Sequence, residues 1–137
     1  MNVTPQEYID EARSWVGTPF AHRGRMKGSA VDCIGVAYCV ARKFDMVPVE
    51  AMVTYSRDPS GNLLHKSIGK YLMRVHPPYK PGDLLVFRFV RDPQHVAVFT
   101  GKNLIHAYSE VGKCIEHRFD KKWQKRLTGA FRFEEFE

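Results

Sequence analysis

Apolar residues recur at helical spacing in the first half of the chain and gather in short runs bounded by turn residues in the second. Ile9, Ala12, Trp15 and Val16 share one face of a 3.6-residue period and predict a helix from about residue 5 to 16. Thr4 serves as its N-cap, Pro5 suits the first turn and Glu7 completes a capping box. Gly17 closes this helix and Pro19 prevents its continuation. Residues 20–31, FAHRGRMKGSAV, are glycine-rich and basic and predict a loop. Asp32 then caps a second helix, in which Cys33, Val36, Ala37, Val40 and Phe44 share a face. Leu64, Ile68, Tyr71 and Leu72 predict a third, weaker helix over about 62–73.

Pro78, Pro81 and Gly82 mark turns, and the pattern changes. DLLVFRF (83–89), HVAVFTG (95–101), LIHAY (104–108), CIEHR (114–118) and GAFRF (129–133) predict strands, rich in β-branched and aromatic residues. Short connections suit antiparallel hairpins. Helices first and strands second indicate an α+β fold, with N-terminal helices packed on a small antiparallel β-sheet. No repeat, low-complexity tract or linker interrupts the chain, so one domain over residues 1–137 is expected.

Composition narrows the function classes. A chain of 137 residues with 44% hydrophobic and 26% charged residues is long and apolar enough for a folded core. No apolar run approaches the roughly 20 residues of a membrane span. The N-terminal MNVTPQEYIDEARSW is polar and acidic where a secretory signal is basic and then apolar. Cys33, Cys39 and Cys114 are odd in number and form no C-x-x-C, which argues against a disulfide framework. The histidines show no zinc-ligand spacing, so neither a metal nor another cofactor is expected. A net charge of +6 favours an anionic partner, but no helix-turn-helix, zinc-finger or RNA-binding signature accompanies it, and no specific nucleic acid is expected.

Candidate chemistry centres on Cys33, placed in the first turn of a buried helix. A helix N-terminus supplies partial positive charge, and a nearby imidazolium supplies more, which lowers a thiol pKa. Gly35 keeps the adjacent backbone uncrowded for a substrate. His95 opens one strand and His106 lies on the next, so the two are expected to face each other across a hairpin at about 5 Å. A third polar group that orients the base completes such a site. Cys39, about 240° around the helix from Cys33, and Cys114 are expected to be packing residues. His22, His65, His76 and His117 read as surface or loop residues, with His22 the one nearest the site. Asp32 reads as a cap, Asp83 as a turn residue and Trp123 as a core anchor. Arg118, Lys121, Lys122, Lys125 and Arg126 read as a solvated face able to dock an acidic partner.

The order V-D-C-x-G opening a helix, then P-G-D-L-L-V-F, H-V-A-V-F-T-G and L-I-H-A, resembles the NlpC/P60 family of cell-wall peptidases. The resemblance runs from Val16-Gly17-Thr18-Pro19 to Ala130-Phe131-Arg132. It implies a circularly permuted papain-like fold with Cys33 as nucleophile, His95 as general base and His106 as the orienting residue. It implies cleavage of the peptidoglycan peptide stem, often between D-glutamate and a diamino acid. The segment IHAYSEVGKCIEH, followed by the Trp123 region and AFRF, is similar to a narrower group carried by phage tails and gene-transfer particles. That group implies phage tail-tip or hub proteins as partners and the virion tail as location, reached from the host cytoplasm without a signal. A structural tail component with a weak or inactive site is the alternative. The chain departs from the family at Ile34, where Ser is usual, and at Phe20, where a Tyr hydroxyl usually assists the oxyanion. Phe20, His22 and Asp32 are therefore the expected oxyanion or substrate contacts, with His22 or a backbone N–H replacing the missing hydroxyl.

Overall fold

The computed structural model describes residues 3–51 and 61–136. The first helix, α1 (Pro5–Arg13), carries the expected capping box: Thr4 accepts from the Glu7 N–H at 3.1 Å, and Glu7 accepts from the Thr4 N–H at 3.0 Å. It stops three residues short of the expected end. Trp15 and Val16 donate to Ala12 and Arg13, three residues back, and Gly17 donates to the Cys114 carbonyl at 2.9 Å. The tighter turn swings Trp15 into the core and leaves Val16 exposed. A two-stranded hairpin, β1 (Arg25–Met26) and β2 (Ala30–Val31), lies within the basic loop. Helix α2 (Cys33–Lys43) follows, N-capped by Asp32 as expected.

Beyond a 3-10 turn at Val49–Ala51, helix α3 is short (Leu63–Gly69). Residues 70–72 of the expected third helix form a turn, in which the Tyr71 and Leu72 N–H groups donate to the Ile68 carbonyl, both at 3.1 Å. Strand β3 (Met73–Val75) follows and pairs with the last strand through Met73↔Arg132 and Val75↔Ala130, which satisfies backbone polar groups that a frayed helix end leaves open. The strands β4 (Leu84–Arg88), β5 (Pro93–Phe99), β6 (Asn103–Tyr108), β7 (Lys113–Arg118) and β8 (Leu127–Arg132) match the expected runs within two residues. Together with β3 they form one antiparallel sheet in the order β3-β8-β4-β5-β6-β7. Helix α4 (Lys121–Gln124), capped by Asp120, is too short for periodicity to reveal.

Strand alternation splits the buried residues into two cores. Val86, Val96, Val98, Ile105 and Ala107 face α1 and α2 with Ile9, Val36 and Val40. Leu85, Phe87, Ala97, Leu104 and Trp123 fill the other face. The buried Tyr8 ties the two helices together by donating to the Ala37 carbonyl at 2.9 Å.

Asp83 is more than a turn residue. Gly82, at φ +92, admits the Phe136 ring where a Cβ would stand 2.7 Å away. The turn buries the Asp83 side chain completely, and Arg132 answers with a bidentate pair at 2.7 and 2.9 Å. The pair holds the start of β4 to the end of β8. Removing Arg132 leaves a buried carboxylate with the Lys80 N–H, at 2.8 Å, but no countercharge, which costs far more than losing an exposed pair. Arg132→Met is therefore expected to lower unfolding free energy by about 3 kcal/mol in urea titration. A loss under about 1 kcal/mol would mean water already screens the pair.

Candidate active site

Strands β5 and β6 pair at Val98↔Ile105 and Phe99↔Leu104, toward the hairpin end. Helix α2 packs on both strands. Its first residue, Cys33, brings its sulfur against the backbone N–H groups of Val96 and Ile34. Cys33 is thus seated beside the residue that follows His95, and it keeps partial exposure.

The start of α2 is held by Asp32, which is buried. One carboxylate oxygen accepts from the Gly35 N–H and the Arg25 guanidinium, both at 2.8 Å, and the other accepts from the Arg23 N–H at 2.7 Å. Asp32 is therefore a cap and loop anchor; its carboxylate oxygens accept hydrogen bonds here, whereas an oxyanion needs donors. Gly35 also has a different reason from the one expected. A Cβ there would meet the Gly24 carbonyl oxygen at 2.7 Å, so Gly35 admits the basic loop rather than a substrate. Cys39 lies under the same loop, its sulfur 3.9 Å from the Arg25 carbonyl, and Cys114 is fully buried, both as packing residues.

His95 and His106 are buried and bonded through Nε2 and Nδ1 at 2.5 Å. The register makes them diagonal neighbours, two residues out of step, rather than directly opposed. The imidazole rings span the extra distance that aliphatic side chains would not. A third imidazole continues the line: His106 Nε2 meets His117 Nε2 at 2.7 Å, and His117 Nδ1 meets the Arg118 carbonyl at 2.9 Å. The register Leu104↔His117 places His117 on the same face of the sheet as His106, again one diagonal step away. His117 is thus no bystander at the surface. Alternation along β7 could have given its face, but the β6–β7 register seats it beside His106. Trp123 covers all three rings, with centroids 5.8, 5.0 and 5.5 Å from His95, His106 and His117.

Phe20 and His22 do not join this line. Phe20 packs at the edge of the helical core, and its N–H is spent on the Gly112 carbonyl at 2.8 Å. His22 is exposed on the loop. In the first turn of α2, Ile34 N–H faces the sulfur, Gly35 N–H bonds the Asp32 side chain and Val36 N–H bonds the Asp32 carbonyl. The first N–H groups of a helix have no acceptor within it, and that of Cys33 opens this turn. An apolar cavity lies on the other side of this turn, lined by Ile34, Tyr38, Leu63, Ile68, Tyr71 and Val96.

Burial decides the charge state. It pushes the Cys33 thiol up to about 12, helped by Asp32 and opposed by the two N–H groups and Arg25. The expected lowering by the helix terminus is outweighed. Burial also holds His95 down to about 3, with His117 and Arg126 adding repulsion, and holds His106 well below the usual imidazole range. Burial thus favours the uncharged thiol at Cys33 and the uncharged imidazole at His95 and His106. Among the described residues, no group of three or more His, Cys, Asp or Glu side chains is arranged to hold a metal ion.

These shifts have a consequence for stability. Between the unfolded value near 6.5 and the folded value of about 3, the unfolded chain binds protons that the folded one refuses. Stability is full above pH 6.5 and falls as the pH drops, by up to about 1.4 kcal/mol per pH unit for each buried imidazole. Urea unfolding at pH 7, 6 and 5 is expected to show this slope, and His106→Gln to make it shallower. Equal stability at all three values would contradict the neutral, buried assignment.

The sequence matches the NlpC/P60 family over residues 17–132. It is 26% identical over 125 residues to the murein DD-endopeptidase MepS/murein LD-carboxypeptidase of Escherichia coli K12, spanning 90% of this chain and 60% of that relative. An NlpC/P60 family protein from Bacillus cereus ATCC 10987 superposes with a TM-score of 0.74 at 20% identity, over 97% of this chain and 41% of that one. The NlpC/p60 domain of the peptidoglycan hydrolase SagA superposes with a TM-score of 0.69 at 20% identity, over 94% of this chain and 98% of that domain. Helices packed on an antiparallel sheet, a cysteine opening the buried helix and the family pattern across most of its length together place this chain in the NlpC/P60 family.

Proposed function

We propose that this protein hydrolyses an amide in the peptide stem of peptidoglycan, with Cys33 as nucleophile and His95 as base. The observation that carries the reading is the placement of the Cys33 sulfur beside the backbone that bears His95, whose Nε2 is held by His106 and whose Nδ1 remains for the thiol. Because both groups rest neutral, the proton moves as the substrate is attacked. His95 Nδ1 takes it from the thiol, sulfur adds to the carbonyl carbon, and the Cys33 N–H holds the oxyanion. His95 then returns the proton to the leaving amine, and a water activated by the same nitrogen releases the thioester.

Charge supports the substrate class. A groove beside Pro93, two residues from His95, presents His65, Lys66, Arg74 and Thr128, chemistry suited to the carboxylates of a stem peptide. The murein and peptidoglycan enzymes among its relatives point the same way. The bond we favour joins D-glutamate to the diamino acid. Purified protein incubated with whole peptidoglycan and with a free tetrapeptide stem is expected to create new amine ends, identified by mass spectrometry. Cys33→Ala and His95→Ala should each lower the rate by at least about 10²-fold. Native-level cleavage in either variant would remove that residue from the mechanism.

We further propose that the protein works at the tip or hub of a phage tail or gene-transfer particle. The IHAYSEVGKCIEH segment supports this, as does the exposed basic face of Arg118, Lys121, Lys122 and Lys125, which suits an acidic neighbour. Proteomics of purified particles is expected to find the protein in stoichiometric amount. Its presence only as free protein would overturn the placement.

A second reading draws on the apolar cavity. Its lining residues Ile34 and Val96 adjoin Cys33 and His95, a position suited to the acyl chain of a lipid amide or ester. A Cys33-dependent burst on a long-chain p-nitrophenyl ester, with peptidoglycan untouched, would favour it.

A further inference from the structure

The hydrogen bonds of the three imidazoles can be given a direction from one end. A carbonyl oxygen only accepts, so the His117 Nδ1 that lies 2.9 Å from the Arg118 carbonyl carries a proton. In the neutral ring, His117 Nε2 is then a lone pair. His106 Nε2, 2.7 Å away, must donate to it. That leaves His106 Nδ1 as an acceptor, and His95 Nε2 donates to it. His95 Nδ1 is therefore unprotonated. A lone pair at that atom is what a base for the Cys33 thiol requires.

We infer that His117 is a positioning residue: anchored by the Arg118 carbonyl, it sets the tautomers of His106 and His95 in turn and so keeps the base nitrogen of His95 free for Cys33. The consequence for catalysis rests on the peptidase reading above; the tautomer order does not. His117 takes this role because β6 and β7 stagger it one diagonal step beyond His106, at the half-exposed end of the line. Trp123 packs against it at a tilt, ring centroids 5.5 Å apart.

The same order gives the proton a way outward. When His95 Nδ1 accepts the thiol proton, its Nε2 proton can pass to His106 Nδ1, and the His106 Nε2 proton to His117 Nε2. Each ring gains one proton and gives one up, except His117, which ends with both nitrogens protonated. The positive charge then rests on the ring of the three that keeps contact with solvent, instead of on buried His95.

A reversed anchor tests the inference. His117→Lys offers only donors to His106 Nε2, which must become an acceptor; His106 Nδ1 and then His95 Nδ1 become protonated. Nitrogen-15 imidazole spectra at pH 7.5 are expected to show Nε2–H at His95 and His106 in the native chain, and Nδ1–H at both in His117→Lys. His117→Glu, an acceptor like the native lone pair, should restore the native tautomers. On peptidoglycan, His117→Lys is expected to lower kcat by about 10²-fold with KM unchanged, and His117→Glu to recover most of that loss. Iodoacetamide alkylation of Cys33 should follow the same order without any substrate. Native tautomers in a folded His117→Lys chain, or a Glu variant as impaired as the Lys variant, would overturn the inference. If peptidoglycan is not cleaved at all, the peptidase reading fails while the spectra and alkylation rates still decide the tautomer order.

Discussion

The N-terminal turn of α2 is wedged against two strands that pair firmly only near their hairpin, and the geometry of the site follows from that wedge. Where β5 and β6 hold no ladder with each other, the Val96 backbone is turned to the Cys33 sulfur. The wedge stays in place because Asp32 closes the helix end and fastens the basic loop over it with three hydrogen bonds. Gly35 makes the fit possible by leaving room for the Gly24 carbonyl. The loop is thus a clamp on the nucleophile's helix.

Desolvation is the dominant electrostatic effect at the site. A helix terminus favours a thiolate by a modest amount, yet burial and the neighbouring Asp32 outweigh it at Cys33. Burial also keeps His95 and His106 uncharged. Two neutral groups poised for transfer differ from a preformed ion pair. Separating charge between groups that burial keeps neutral is costly.

The aromatic face explains how polar rings survive inside the sheet. Phe87, Phe89, Tyr108 and Trp123 surround His95, and the imidazole nitrogens other than His95 Nδ1 are each bonded to the next ring or to the final carbonyl. A buried polar chain is tolerated when every member is satisfied. Truncating any member strands its neighbour, so these residues act as a unit.

The sequence by itself determined the elements whose signals are local. The Thr4–Glu7 capping box, the Asp32 cap, the strand runs and the candidates Cys33, His95 and His106 were all legible, because capping and alternation act over a few residues. Tertiary structure decided what depends on distant partners. Pairing at the sheet edge drew Met73 into β3, and the third helix ends before it. Arg132 made Asp83 a buried ion-pair member, a contact across 49 residues of chain. The close approach of Gly24 decided what Gly35 is for. The stagger of β6 and β7 brought His117 into line with His106, because register is a property of strand pairs and is written in neither strand alone.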